Sequence, residues 1–192
     1  MGIKNFSIII LLFACKTFAQ TDEVKLPPIF ASQLTFAPAN FWNIDSRPIY
    51  LHGSMQLFLK KQKAFSGEAF YYIGEPNTDK FMFHHMLFFG INFYKVKGIS
   101  YWYAGLQPGL SYTAVNPFPF SREYTAGINP LFSVNFGGQF SIYRFMHFFV
   151  QIRTIMGQHS FDRPISLFQS VFSAGLGFNL MSNNSRGANR SH

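Results

Sequence analysis

Taken at every second residue, the segment "VFSAGLGFNL" (Val171 to Leu180) separates into two unlike sets. Phe172, Ala174, Leu176, Phe178 and Leu180 are apolar and mostly bulky; Val171, Ser173, Gly175, Gly177 and Asn179 are mostly small or amide-bearing. The split recurs. In "LFSVNFGGQFSIY", Phe132, Val134, Phe136, Phe140 and Ile142 oppose Ser133, Asn135, Gly137, Gln139 and Ser141. In "YWYAGLQPGLSYT", Trp102, Ala104, Leu106, Leu110 and Tyr112 oppose Gly105, Gln107, Gly109, Ser111 and Thr113. "HFFVQIRTIM" and "IYLHGSMQLFLK" behave alike, the latter setting Ile49, Leu51, Met55, Leu57 and Leu59 against His52, Ser54 and Gln56. Side chains of a strand alternate between its faces, so strict period two over ~10 residues marks β structure.

Eight strands are expected, near 29–37, 47–60, 65–74, 81–95, 98–114, 127–143, 145–157 and 165–181. The first alternates least regularly and follows Pro27-Pro28. Connections alternate in length along the chain. "PANFWNIDSRP", "EPNTDK", "VNPFPFSREYTAG" and "GQHSFDRP" are long and turn-rich, whereas "KKQKAFSG", "KVKG" and "YRFM" are tight or basic. A soluble barrel places its bulky face inward and coats the other with charge. Here the second face is Gly, Ser, Asn and Gln, which suits a narrow interior, while the aromatic and aliphatic face suits lipid. The pattern predicts an all-β fold: an eight-stranded antiparallel up-and-down transmembrane barrel with its lumen filled by side chains.

Composition strengthens that reading. Aromatic residues make up 19% of the 192 residues, and charged residues only 12%, against about 25% in ordinary soluble domains. The start reads as a secretory signal over residues 1–19: Lys4, the apolar run Phe6 to Ala14, then Thr17-Phe18-Ala19 before Gln20. That run is too short for a helical span, which takes about 20 residues. Cys15, the single cysteine, leaves with the signal, although Leu12-Phe13-Ala14-Cys15 also loosely resembles a lipobox. Loss of Lys4 and Lys16 takes the formal charge from +8 to +6. In an exported protein this surplus does not point to nucleic acid, and the basic residues fall in turns. Residues 20–28 form a polar lead-in, 29–181 the barrel, and 182–192 ("SNNSRGANRSH", without apolar content) a disordered tail.

The runs "FSGEAFYYIG", "FMFHHMLFFGINFY", "YAGLQPGLSYT", "FSVNFGGQFSIYRFMHFFVQIRTIMGQHS" and "SAGLGFNL" resemble small outer-membrane β-barrel proteins of Bacteroidetes, similar in architecture to eight-stranded OmpX/OmpA-type barrels. The likeness spans most of Arg47 to Leu180, with "GLQPG" and "GLGFN" its more specific parts. It implies a fold and an outer-membrane location, with insertion by barrel-assembly machinery, and no assigned activity, cofactor or catalytic residue.

Candidate chemistry is sparse. His84 and His85 are adjacent on a strand and point to opposite faces, so they do not chelate one metal together. Glu68 and Arg153 are the mid-strand charges of the interior face, on the third and seventh strands and so across the ring from each other. A buried charge is costly unless paired, and a guanidinium binds a carboxylate with two prongs. With Gln56, Gln107, Gln139, Gln151 and Tyr72 they compose a polar lumen network, a proton relay or substrate site being the alternative. The alternatives to a structural or surface-interaction role are a narrow channel and an outer-membrane lipid-modifying enzyme. For the latter the compact group is His159, Ser160 and Asp162 in the last loop, while Ser170, outward at mid-membrane, has no histidine on a neighbouring strand. Lys60, Lys61, Lys63, Lys95, Lys97 and Arg144 fall at the tight-turn rim, where they suit either lipid phosphates or simple solvation. The longest connection carries Phe118, Phe120, Arg122, Glu123 and Tyr124. This is a candidate binding loop for a surface partner or extracellular ligand, or else part of the aromatic girdle.

Overall fold

The alternating segments pair antiparallel with their chain neighbours, and the last long strand returns to the first. A computed structural model describes residues 28–60, 62–75, 81–115, 125–143, 145–160 and 164–181. The expected signal (1–19), residues 20–27 of the lead-in, the expected tail, the 118–124 loop residues, and Lys61 and Arg144 of the basic rim lie outside these. The strands are β1 (Phe30–Phe41), β2 (Ile49–Lys60), β3 (Lys63–Gly74), β4 (Phe81–Lys97), β5 (Ser100–Val115), β6 (Thr125–Tyr143), β7 (Met146–His159), the two-residue β8 (Ile165–Ser166) and β9 (Gln169–Met181). β6 pairs with β7, β7 with β9 and β9 with β1, so the eight long strands form a closed barrel. Long connections lie at one end; tight turns and both barrel termini lie at the other. At the β4–β5 turn, Lys97 faces Ser100 across Gly98-Ile99, and Gly98 has φ +59°. A two-residue hairpin needs that left-handed first residue, which glycine takes without a Cβ clash.

The bulky set faces out. Leu106, Phe132, Phe136, Ile152, Phe172, Leu176 and Phe178 are exposed around the middle of the barrel, while Gln107, Ser133, Asn135, Arg153 and Ser173 are buried inside. An apolar exterior around a polar core has no stable place in water, and it matches a barrel seated in lipid.

Two expectations change. The interior is not uniformly small and polar. Towards the loop end Phe41, Tyr50, Phe81, Leu131, Ile155 and Val171 pack into an apolar cluster inside the barrel. Towards the turn end Ala64, Tyr94, Tyr101 and Tyr103 form a second. A narrow eight-stranded ring must be filled at every level, and where no charge needs solvating, rings fill it best. The eighth expected strand is also split. Leu167, fully buried, turns into the loop-end cluster between β8 and β9, and its amide bonds Gly157 O at 2.9 Å.

The wall is uneven in two places. β1 and β9 keep one register from Gln33↔Gly177 to Ala39↔Val171, yet Leu34 to Pro38 have no ladder partners on β9. Ala39 N bonds Pro48 O on the β2 side. By alternation Pro38 sits where an amide would have faced β9, and proline has none. Thr35 compensates, its Oγ1 donating to Ala174 O at 2.6 Å. Between β3 and β4 the ladder ends at Phe70↔Met86, although β2–β3 pairing continues to Gly74 and β4–β5 pairing to Phe81. There His85 Nδ1 accepts the amide of Tyr72 at 3.1 Å in place of a backbone carbonyl.

Facing and depth predict a graded response to a single cation. Phe136→Arg, near mid-height on the outer face, should cost about 2–4 kcal/mol in urea unfolding from lipid vesicles. Tyr143→Arg, at the turn-end rim, should cost about 0–1 kcal/mol. Equal costs at the two positions would contradict the depths assigned to them in the membrane.

Candidate functional site: a buried ion pair across the lumen

Mid-height is where the barrel places its charges. Glu68 on β3 and Arg153 on β7 are both inward, 2% and 1% exposed, and Arg153 Nη2 lies 2.5 Å from Glu68 Oε1. Bonds from Nη1 orient the guanidinium: it donates to Gln107 Oε1 and to Ser133 Oγ, each at 2.7 Å. The cation also rests against two rings, its central carbon 4.9 Å from the Phe88 centroid and 5.5 Å from that of Phe70. A guanidinium is weakly hydrated and tolerates an aromatic face, so these rings replace water on its flat sides.

Glu68 collects donors. Besides Arg153, it accepts Gln107 Nε2 at 3.0 Å on Oε1 and Gln151 Nε2 at 3.1 Å on Oε2. His52 Nε2 lies 3.0 Å from Oε2, and its ring stacks on Phe70 at 4.2 Å and 2°. A carboxylate holds no proton to give, so the nitrogen donates and His52 carries its hydrogen on Nε2. Gln107 is the hinge of the set, giving its carbonyl to the cation and its amide to the anion, to Ser66 Oγ at 2.6 Å, and more weakly to Asn92 Oδ1. Tyr103 donates to Gln151 Oε1 at 3.0 Å and ties the network to the turn-end aromatic cluster.

The backbone makes room for this. A Cβ on Gly105 would collide with Asn92 Oδ1 and meet Asn135 Oδ1 at 2.5 Å. Glycine in the "GLQPG" run therefore lets the two amides approach the β5 backbone, where Asn135 Nδ2 donates to Asn92 Oδ1 at 3.2 Å.

Of the residues singled out in the sequence, Glu68, Arg153, Gln107 and Gln151 come together. Gln56 and Gln139 form a separate group nearer the turn end, where Gln56 Oε1 accepts Tyr94 OH at 2.7 Å and Gln139 Nε2 at 2.8 Å. Tyr72 stands apart at the loop end, its hydroxyl on Phe81 O at 3.3 Å and its ring against the apolar cluster. His52, Ser133, Asn92 and the Phe70 and Phe88 rings were not singled out, although alternation from Gln56 through Ser54 already turns His52 inward.

The histidines divide as their spacing requires. His84 is buried in the lumen, with Nδ1 on Thr113 Oγ1 at 2.7 Å and Nε2 beside Gln169 Nε2 at 3.0 Å. The Gln169 amide donates, so the His84 hydrogen sits on Nδ1. His85 faces out and stacks on Tyr71 and Phe83. His159 is buried inside while Ser160 is exposed, and Asp162 lies outside the described residues. Ser170, expected at mid-membrane, lies instead near the loop end, at the start of β9, where it accepts Trp42 Nε1 at 3.0 Å on the outer face. The expectation of no histidine on its neighbouring strands is corrected: β7 carries His147 and His159, both inward. Among the described residues, no three His, Cys, Asp or Glu side chains converge as a metal site would require. The arrangement is chemically a closely partnered charge pair: the carboxylate and Arg153 Nη1 are each held by several neighbours and packed rings close the flanks, while Arg153 Nε is buried without a hydrogen-bond partner.

No protein-family model matches the chain, and no curated protein matches it in sequence. The barrel is similar to the crystal structure of Neisserial surface protein A, at a TM-score of 0.59 and 10% identity, over 78% of this chain and 95% of that one. It is similar to the N-terminal β-barrel domain of Pseudomonas aeruginosa OprF, at 0.56 and 8%, over 79% and 97%. It is also similar to Ail, the attachment invasion locus protein of Yersinia pestis, at 0.50 and 11%, over 79% and 98%. At such identities the likeness is one of fold.

Removing one member of the pair should cost more than removing both. Glu68→Ala leaves the Arg153 cation buried without its counter-ion and is expected to destabilise by about 3–5 kcal/mol. Glu68→Ala with Arg153→Met should recover a large part of that loss in urea unfolding from lipid. Additive effects in the double-mutant cycle would mean that the two side chains do not interact.

Proposed function

We propose that this protein is an integral outer-membrane barrel with a closed lumen, whose role is structural or one of surface interaction through the loops at its long-connection end. The observation that carries the reading is the filled interior. Side chains occupy the barrel from the turn-end tyrosines, through the Glu68–Arg153 network, to the apolar cluster capped by Leu167. A plugged ring offers no diffusion path, which leaves the wall and the loops as working surfaces. The apolar belt, the signal-like start and the likeness to small Bacteroidetes outer-membrane barrels support the location. Two proteins of similar fold are, by name, a surface protein and an attachment invasion locus protein.

Within this reading the connection of residues 116–124, with Phe118, Phe120, Arg122, Glu123 and Tyr124, is the first place to look for recognition of a surface partner. Rings beside an arginine are the composition that interface hot spots favour.

Two measurements test the proposal. In planar bilayers the folded protein is expected to give no stable conductance steps; a reproducible open channel would overturn the closed lumen. Replacing residues 116–124 by a short Gly-Ser turn is expected to leave folding intact and to abolish binding of whole cells to their surface partner. Impaired insertion with unchanged binding would instead assign those rings to the membrane girdle.

A further inference from the structure

The described lysines all fall at one end. Lys60, Lys63, Lys95 and Lys97 all lie at the turn end, whereas the described carboxylates Asp45 and Glu75 lie at the loop end beside Arg47, and Glu68 is buried against Arg153. Among the described residues the lysines are therefore not balanced by acids beside them. Two of them share the outer face of adjacent strands. Lys63 on β3 pairs with Phe93 on β4, and Lys95 follows two residues later, opposite Trp102 on β5. Lys63 and Lys95 are thus diagonal cross-strand neighbours, within reach of each other for side chains of this length. Like charges so placed repel unless an anion lies between them.

Beneath the pair is an apolar shelf. Phe65, Phe93 and Trp102 are 45%, 54% and 42% exposed on the outer face. Lys63 Nζ is 5.5 Å from the Phe93 centroid. Trp102 is held between Phe136, stacked at 6.1 Å, and Phe140, edge-on at 5.6 Å. From the shelf to mid-height the outer face carries no charge among the described residues.

From these features we propose that Lys63 and Lys95 form a headgroup site for an anionic glycerophospholipid of the leaflet on the turn side. Its phosphate sits between the two ammonium groups and its acyl chains lie over Phe65, Phe93 and Trp102. Lysine binds phosphate as a point charge, and indole at a membrane boundary presents an apolar body to acyl chains and a polar edge to water. A free phosphate would satisfy the lysines but leave the shelf uncovered; a diacyl phosphate meets both. The inference rests on the membrane location proposed above and adds to it a lipid class, a leaflet and two residues.

The chain holds two tryptophans, and Trp42 and Trp102 stand at opposite ends of the barrel. In the Trp42→Phe background Trp102 reports alone. The protein is reconstituted into vesicles containing acyl-brominated phosphatidylglycerol in unbrominated phosphatidylcholine, or the reverse, and quenching gives the relative occupancy of the two lipids at Trp102. The anionic lipid is expected to be favoured by at least fivefold, about the worth of one cation near an anionic surface. Lys63→Gln with Lys95→Gln should bring the ratio near one with no loss of folded barrel. Equal quenching by the two lipids before substitution, or a preference that survives it, overturns the headgroup site while leaving the membrane location standing. Absence of quenching by either brominated lipid overturns the membrane location itself.

Discussion

An eight-stranded ring is too narrow to carry a column of water and too wide for its backbone to fill, so the side chains that meet across its axis decide what the molecule is. Here they meet as Glu68 and Arg153. Opposed strands of a ring share no ladder, and the ion pair joins β3 to β7 directly across the lumen. Its supporting partners come from three strands besides: His52 on β2 and Gln107 on β5 donate to the carboxylate, while Gln107 and Ser133 on β6 accept from the guanidinium. Breaking the pair would expose each of these to an unmet partner, so the cross-section behaves as one unit.

How much of this was legible in the sequence depends on whether residue type distinguishes the faces. Where Ser and Asn oppose Phe and Val, as from Phe132 to Phe136 in "LFSVNFGGQFSIY", alternation alone assigns the side chains of the barrel wall. Two lone charges on interior positions likewise announce that they must find each other. In "FMFHHMLFFG" the signal fails, because phenylalanine serves both environments. Phe88 turns in against Arg153 and Phe89, its neighbour, turns out to the exterior. The loop-end apolar cluster was hidden for the same reason. Leu167 was hidden for another: it departs from the strand to cap the lumen, and no periodicity records a departure.

The β1–β9 seam shows how closure tolerates a local defect. Pro38 withholds a donor, the ladder lapses over five residues, and a threonine hydroxyl bridges the lapse without altering the register on either side. In lipid an unpaired amide or carbonyl has no water to turn to. A side-chain substitute at this seam therefore keeps the wall sealed where the first and last strands join, the two elements most separated along the chain.

The parting of β3 from β4 beyond Phe70 and Met86 bears on how such a barrel changes over generations. Elsewhere at that end the strands stay paired nearly to their tips. Here the strand ends already diverge, with a histidine ring and a tyrosine hydroxyl in place of backbone pairs. Extra residues inserted between Gly74 and Phe81 would break no ladder bond. A longer connection here would rise from strand ends that already stand apart, and so would carry its new surface on a broader base than a closed hairpin offers.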